Sequence, residues 1–422
     1  IGFGGSLLLA RRVKRQTLGL EPLEIAGLVE HRDAMLHGIR EGVVGLDLRG
    51  RVTLVNDEAI RLLRIPGDAL GRTLDELGVS DEVREVCGAY APGDIVDVKS
   101  GKGKYLGSGY INDSSKIRVR IISKNPNDRF DRAFYERRVR YAIDYRRTVM
   151  GDDFSACRLI FGEADMLPGL TVDRFSNVLV TETLCLGTER VKDIIFSSLV
   201  STLRQMGERI DAIYERNSSP IRALEGMESY DGYYFAPGLD LSEIPGGSVF
   251  ITENGIKYRV DFVNGQKTGF FLDQKYNRQA VAKISRGRRV LDCFTHTGSF
   301  GLNVAAGGAA SVLSVDISDA ALDVARENCA LNGFSDRIEY RAADVFDLLS
   351  EYEREGKRDF DLIILDPPAF TKSRATLKNA IKGYREINYR AMKLLPRGGY
   401  LATCSCSHFM TDTYFKQMLH NA

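Results

Sequence analysis

Two short segments hold the residues best suited to chemistry. The apolar run Gly399-Tyr400-Leu401-Ala402-Thr403 leads into Cys404-Ser405-Cys406-Ser407, and upstream Phe360-Asp361-Leu362-Ile363-Ile364-Leu365 leads into Asp366-Pro367-Pro368. Both read as strand ends in an alternating β/α pattern, which is where open α/β sheets put ligands and reacting groups. A thiolate is a strong nucleophile that adds to electron-poor ring carbons. The two prolines stiffen the chain so that a carbonyl and the Asp366 carboxylate face a flat ring laid against the turn. Such a pair is suited to covalent chemistry on a heteroaromatic ring.

A sheet must position these turns. Strand candidates at 290–294, 311–316, 339–343, 360–365 and 399–403 alternate with helical periodicity at 300–307, 318–332, 345–355 and 376–395, a doubly wound α/β pattern. Its first unit, Val290-Leu291-Asp292-Cys293-Phe294-Thr295-His296-Thr297-Gly298-Ser299-Phe300-Gly301, reads as strand, small-residue loop and helix start. Backbone N–H groups of such a loop can approach a cofactor. The loop is not GxGxxG, which disfavours phosphate binding. Asp316 ends the second strand, where it can accept from ribose hydroxyls, and Asp344 ends the third, where it can meet an adenine amino group. Acids at three successive strand ends favour an adenosyl cofactor, and the absent phosphate loop favours S-adenosylmethionine over NAD.

Asp-Pro-Pro with Phe370 behind it, able to stack on a base, leaves methylation at carbon or at nitrogen open. The cysteines favour carbon 5 of a pyrimidine, which becomes nucleophilic once a thiolate adds at carbon 6. Spacing does not separate Cys404 from Cys406, and the general base stays unassigned.

The 422-residue chain is 44% hydrophobic with net charge +1, ordinary for a globular protein of several domains. Charge is unevenly placed: residues 116–147 hold 11 Lys/Arg against four acids, a block able to track phosphates or simply a solvated helix face. Seven cysteines without CxxC and five histidines without HExxH argue against a metal site or disulfides and for a reducing cytoplasm. Residues 1–10 are apolar but too short to span a bilayer, and Arg11-Arg12-Val13-Lys14-Arg15 follows as at the cytoplasmic end of a membrane helix. A membrane-helix stump and a frayed start both fit; membrane contact holds only if the stump is genuine.

Between these ends a helix is expected at 22–38, two short strands at 42–47 and 52–56, and strands at 92–98, 105–110 and 117–122 in a small-barrel pattern. A basic helix at 128–147, a long amphipathic helix at 189–206 and β-rich material at 211–270 follow, with Asn264-Gly265 as a hairpin signal.

The string "IREGVVGLDLRGRVTLVNDEAIRLLRIPGDALGRTLDEL" resembles a PAS domain. Together with "ARRVKRQTLGLEP" it looks like the membrane-proximal segment of a citrate/dicarboxylate-type sensor histidine kinase. Residues 92–122 resemble part of a PUA RNA-binding domain. From about residue 88 onward the strings "RLIFGEADMLPGLTVDRF", "NGQKTGFFLDQ", "VLDCFTHTGSF", "SVDISDAALDVARENCALNG", "FDLIILDPPAF" and "SCS" are similar to bacterial 23S rRNA cytosine-C5 methyltransferases with an N-terminal PUA domain.

That resemblance implies a class I, Rossmann-like methyltransferase using S-adenosylmethionine on 23S rRNA. It implies cofactor contacts at Lys267, Phe271, Gln274, Asp292, Thr297, Gly298, Asp316 and Asp344, and the nucleophile at Cys406, with Cys404 assisting or packing. Asp366, Pro367, Pro368 and Phe370 would meet the base. Arg118, Arg120, Arg137 and Arg138 would meet phosphates, as could Arg278 and Lys372. The expected parts are a stump (1–20), a PAS-like segment (21–87), a partial PUA-like domain (88–125), an α+β domain (126–255) and the methyltransferase domain (256–422), whose C-terminal edge is expected to be missing. A homodimer is possible. The rival readings are a membrane-tethered sensor or RNA-binding fusion with an inert methyltransferase half, and a base-nitrogen methyltransferase.

Overall fold

The computed structural model describes residues 44–46, 51–55, 59–61, 66–73, 76–77, 90–100, 103–235, 246–371, 373, 376–407 and 409–422. The N-terminal stump, the 22–38 helix, Cys87 and Lys372 lie outside these residues. The chain divides into two compact units at Asn277/Arg278.

In the unit before that boundary, β1 (Val44–Leu46) and β2 (Val52–Val55) form an antiparallel hairpin, as the turn signal between them predicts. β3 (Ile95–Lys99), β4 (Tyr105–Ile111) and β5 (Val119–Ser123) form an antiparallel three-stranded sheet rather than a closed barrel. Helix α1 (Arg132–Met150) follows, its first turn capped by Asp131, which accepts from the Phe134 N–H at 3.0 Å. A mixed five-stranded sheet then runs in the order β10-β9-β8-β7-β6. Its strands are β6 (Ala156–Phe161), β7 (Leu170–Phe175), β8 (Val178–Thr183), β9 (Ala212–Asn217) and β10 (Tyr230–Tyr234). Helix α2 (Leu186–Gln205) and the single turn α3 (Ile221–Leu224) complete it. Phe134, Val139 and Ile143 of α1 and Phe196 and Leu199 of α2 bury against Leu159, Val172, Leu179 and Ile213 of the sheet. The alternating apolar faces of strands and helices meet in that core.

The hairpin expected at Asn264-Gly265 forms one signal earlier. β11 (Ser248–Glu253) and β12 (Ile256–Asp261) pair through Asn254-Gly255, whose φ values of 54° and 78° suit a tight hairpin turn. Asn264-Gly265 instead sits in a loop wound around Asp261. The Asp261 carboxylate accepts from the Val263 and Asn264 N–H groups (3.0 and 2.7 Å), and its carbonyl accepts from Gly265 at 3.1 Å. Side-chain capping by Asp261 outcompetes a ladder, so residues 266–271 form no strand.

Helix α4 (Lys275–Lys283) spans the boundary. Beyond it, β13 (Arg289–Cys293), β14 (Ser311–Asp316), β15 (Ile338–Ala342), β16 (Leu362–Leu365) and β17 (Tyr400–Thr403) form an all-parallel sheet in the order β15-β14-β13-β16-β17. The crossovers are α5 (Ser299–Ala306), α6 (Asp319–Leu331), α7 (Val345–Glu355) and α8 (Leu377–Leu394), and α9 (Asp412–His420) follows β17. All four residues of β16 are buried, as a central parallel strand covered on both faces requires. Leu348 and Leu349 of α7 and Ile387 and Ala391 of α8 pack on Leu291, Ile363 and Leu365. The strand order reverses between β13 and β16, the switch point at which such sheets open a crevice. The fold is Rossmann-like, as expected. Among the described residues no helix is long and apolar enough to cross a membrane.

Candidate active site

Strand register brings the two reactive segments together. Leu365 stands opposite Cys293 on one side and Thr403 on the other, so β13, β16 and β17 end level. Asp366 and Cys404 are therefore the first residues past adjacent strands. The Cys404 N–H donates to the Leu365 carbonyl at 2.8 Å, extending the pairing by one residue. Two residues on, the exposed Cys406 thiol donates to the Pro367 carbonyl at 3.5 Å, seating sulfur on the Asp-Pro-Pro turn. Cys404 is half-buried, while Cys157, Cys185, Cys293 and Cys329 are buried. Burial pushes the Cys157 thiol up to about 11 and raises Cys185, Cys293 and Cys329 as well, so these four are poor sources of thiolate.

Ser407 clasps the two loops. Its buried hydroxyl accepts from the Phe370 N–H at 3.0 Å and the Thr371 N–H at 3.4 Å. With both lone pairs taken, the hydroxyl proton goes to Tyr384 Oη, 2.8 Å away and fully buried on α8. Sequence reading passed over both residues, although a hydroxyl directly after the second cysteine was the available signal. Ser407→Ala is expected to lower kcat about 10- to 100-fold by loosening the turn beneath the thiol. The KM for RNA and the affinity for cofactor should stay within about twofold. Kinetics with kcat unchanged, or with only KM raised, would contradict this positioning role.

The loop after β13 holds the second half of the site. Asp292 is buried, and its Oδ2 accepts from Thr295 Oγ1, from the Gly301 N–H at 2.9 Å and from Ser314 Oγ at 3.2 Å. Its Oδ1 is buried with no hydrogen-bond partner. Burial pushes the Asp292 carboxyl up to about 7 against the pull of these hydrogen bonds, and the charge of Asp366 adds to the push. Phe294 and His296 adopt left-handed backbone (φ 61° and 51°), strain of the kind that marks ligand clamps. Gly298 follows at φ 86°, and a Cβ at Gly301 would sit 2.5 Å from Ser314 Oγ. The backbone is thus packed so closely that only glycine fits there. An unpaired buried carboxylate oxygen beside a strained, side-chain-poor loop fits a cationic adenosyl cofactor such as S-adenosylmethionine.

Asp316 is half-buried; its Oδ2 accepts from the His296 N–H at 2.9 Å and its Oδ1 from the Ser318 N–H at 3.0 Å. It therefore shapes the loop as well as facing the crevice. Ile317, next to it, is 72% exposed, an apolar surface at a strand end that sequence reading missed; an aliphatic residue in a polar turn was the signal. Asp344 caps α7, its Oδ1 accepting from the Phe346 and Asp347 N–H groups (2.7 and 3.4 Å). The cap uses Oδ1 alone. Thr297 is half-buried at the loop, its carbonyl accepting from Asn328 Nδ2 at 3.2 Å.

Lys267, Phe271 and Gln274 belong to the other unit, on the loop after β12. Lys267 Nζ lies 4.7 Å from the Phe271 ring centre, and Gln274 Oε1 accepts from Asn277 at 2.6 Å. Thr268 anchors this loop through Asp173, itself held bidentately by Arg158.

Several residues expected to meet the substrate also make contacts within the chain. The Phe370 ring packs against Tyr384 (4.5 Å between centres) and Phe346 (5.7 Å), which supports the turn. Arg118 pairs with Asp113 and Arg120 with Glu163 and the buried Glu225, both arginines being mostly covered. Arg137 and Arg138 share Asp128, and Arg278 is buried. Intramolecular carboxylates pair with the guanidinium groups of Arg118, Arg120, Arg137 and Arg138. Among the described residues no cluster of three His, Cys, Asp or Glu is arranged to hold a metal.

Residues 236–417 match the family described as S-adenosylmethionine-dependent methyltransferase, residues 77–124 a PUA-like domain and residues 30–87 the PAS fold. The chain is 40% identical over 345 residues to the ribosomal RNA large subunit methyltransferase I of Shewanella amazonensis, covering 81% of this chain and 84% of that protein. It is 42% identical over 332 residues to the protein of the same name from Shewanella frigidimarina, covering 78% and 81%. A solved methyltransferase complexed with SAH superposes with TM-score 0.65 at 22% identity, covering 81% of this chain and 84% of its own, and so shares the fold. With its parallel sheet, cofactor loop and paired reactive turns, the chain belongs to the ribosomal RNA large subunit methyltransferase I family of S-adenosylmethionine-dependent enzymes.

Proposed function

We propose that this protein methylates carbon 5 of a cytosine in large-subunit ribosomal RNA through a covalent adduct on Cys406. The carrying observation is the exposed Cys406 thiol seated on the Pro367 carbonyl of the Asp-Pro-Pro turn. The names of the Shewanella relatives supply the RNA class, and 40–42% identity supports extending it to this chain. A reaction on ribosomal RNA also makes the cytoplasm its compartment.

S-adenosylmethionine, when bound, supplies the methyl group; Asp292, Asp316 and the Thr297-Gly298 backbone would hold it. Cys406 loses its thiol proton and forms a bond from Sγ to carbon 6 of the ring, moving the carbon 5–carbon 6 electron pair onto carbon 5. Carbon 5 takes the methyl group as the donor's sulfur–methyl bond breaks and its electron pair stays on sulfur, giving the neutral thioether S-adenosylhomocysteine. Carbon 5 then gives its proton to a base, and the returning electron pair breaks the carbon–sulfur bond to Cys406. Asp366, Pro367 and Pro368 hold the edge of the flipped base so that the thiol reaches carbon 6 from above the ring face, a geometry that requires the nucleotide to leave its stack. Cys404, half-buried one strand end away, packs beside the nucleophile.

The PAS-matching residues, with their likeness to a sensor kinase's juxtamembrane segment, enter the proposal as an appended segment. Incubation with unmethylated large-subunit rRNA and labelled cofactor, followed by nucleoside separation, tests the assignment. 5-Methylcytidine is the expected product. An N4-methylated cytidine or a methylated adenosine would overturn it, and no product would favour the inert-half reading.

A further inference from the structure

The basic block at 116–147 loses its expected phosphate contacts to internal ion pairs, yet one face of α1 keeps both charge and aromatic surface. Tyr141 and Tyr145 are 58% and 61% exposed and one helical turn apart, which puts them on the same face with Cβ atoms about 6 Å from one another. Among the described residues no hydrogen bond engages either hydroxyl. Arg140 and Arg147, about two helical turns apart, share the strip of α1 next to the tyrosines. Both are exposed and, among the described residues, make no ion pair, whereas Arg137 and Arg146 are held by Asp128 and Asp165. Asp144 is the one acid between Arg140 and Arg147 in sequence. The opposite face, with Val139, Ala142 and Ile143, is spent on the core.

The exposed groups here are two amphipathic rings beside a strip carrying two guanidinium groups that make no ion pair among the described residues. That combination matches single-stranded RNA, whose bases stack on aromatic rings while arginines meet the backbone. We propose that the Arg140–Tyr141–Tyr145–Arg147 face of α1 is a docking surface for a single-stranded or looped segment of the RNA substrate. The proposal rests on the RNA methyltransferase reading above.

The test uses the full chain and a fluorescent, unmethylated large-subunit rRNA transcript titrated at several salt concentrations. Tyr141→Ala/Tyr145→Ala is expected to weaken RNA binding about tenfold or more with the salt dependence unchanged, because stacking is uncharged. Arg140→Gln/Arg147→Gln is expected to weaken it and to lower the slope of log K against log salt by about 1.4, two phosphate contacts' worth. Cofactor affinity and melting temperature should be unchanged in both, since all four side chains are exposed. Wild-type affinity and slope in both variants would overturn the proposal, as would a change in oligomeric state with RNA binding intact, which would make the face a contact with a second copy. A wild-type chain that neither binds nor methylates the transcript would instead remove the RNA reading on which the proposal rests.

Discussion

Cys406→Ala is expected to lower methyl transfer by about four orders of magnitude or more, the scale on which removing a covalent nucleophile acts. Cofactor affinity should be unaffected, because the residues read as holding the cofactor belong to β13 and the loop after it, not to the cysteine segment. Cys404→Ala should cost less than about tenfold. The asymmetry follows from geometry: Cys404 is half-buried at the end of β17, while Cys406 is exposed against the turn that would hold the base. Single-turnover rates of the two variants on the same RNA measure it. Comparable losses in both would assign the chemistry to the pair, and a fully active Cys406→Ala would remove the nucleophile altogether.

Asp292 carries the second large effect. Asp292→Asn can turn its amide oxygen toward Thr295, Gly301 and Ser314, keeping the three hydrogen bonds now made by Oδ2, and so leaves the fold intact. The amide nitrogen then replaces the unpaired Oδ1, presenting a donor where a cation needs an acceptor. Cofactor affinity is expected to fall about 100-fold, the cost of losing one buried charge-assisted contact and leaving a mismatched donor. Calorimetric titration measures it directly.

The raised Asp292 carboxyl, near 7, also gives a pH signature. A positively charged cofactor favours the ionised form, so wild-type affinity should rise as pH climbs through about 7 and level off above it, with proton release on binding below that point. In Asp292→Asn this dependence should vanish. Stability of the cofactor-free chain has the opposite sign. The folded state holds the proton more tightly than the unfolded one, so stability from this group is full below about 4 and is lost as pH rises through about 7. A pH-independent wild-type affinity would show that Asp292 does not meet the cofactor's charge.

Much of this was legible because parallel strands buried on both faces write themselves as unbroken apolar runs. Leu362–Leu365 is such a run, and every strand of the second unit fell within about two residues of its expected place. Strand ends then named Asp292, Asp316, Asp366 and the cysteine segment. Local competition was harder to read. Two Asn-Gly pairs lie within about a dozen residues, and only the Asp261 carboxylate decides which of them turns a hairpin. Long-range pairing was not readable at all. Glu225, which holds Arg120, is over a hundred residues away in sequence, so a basic run that looked like a phosphate surface turned out to be partly internal. Spacing alone did not separate Cys404 from Cys406; the resemblance named Cys406, and the level ending of β16 and β17 adds that both segments leave the sheet side by side, a fact of register rather than of spacing.

Covalent trapping tests the central claim most directly. RNA carrying 5-fluorocytidine at the target blocks loss of the group at carbon 5, so an adduct formed during turnover cannot release its sulfur. After reaction with S-adenosylmethionine and digestion, mass spectrometry should find the methylated fluorocytidine attached to the peptide through Cys406. An adduct on Cys404, or substituted RNA processed with no protein-linked intermediate, would contradict it.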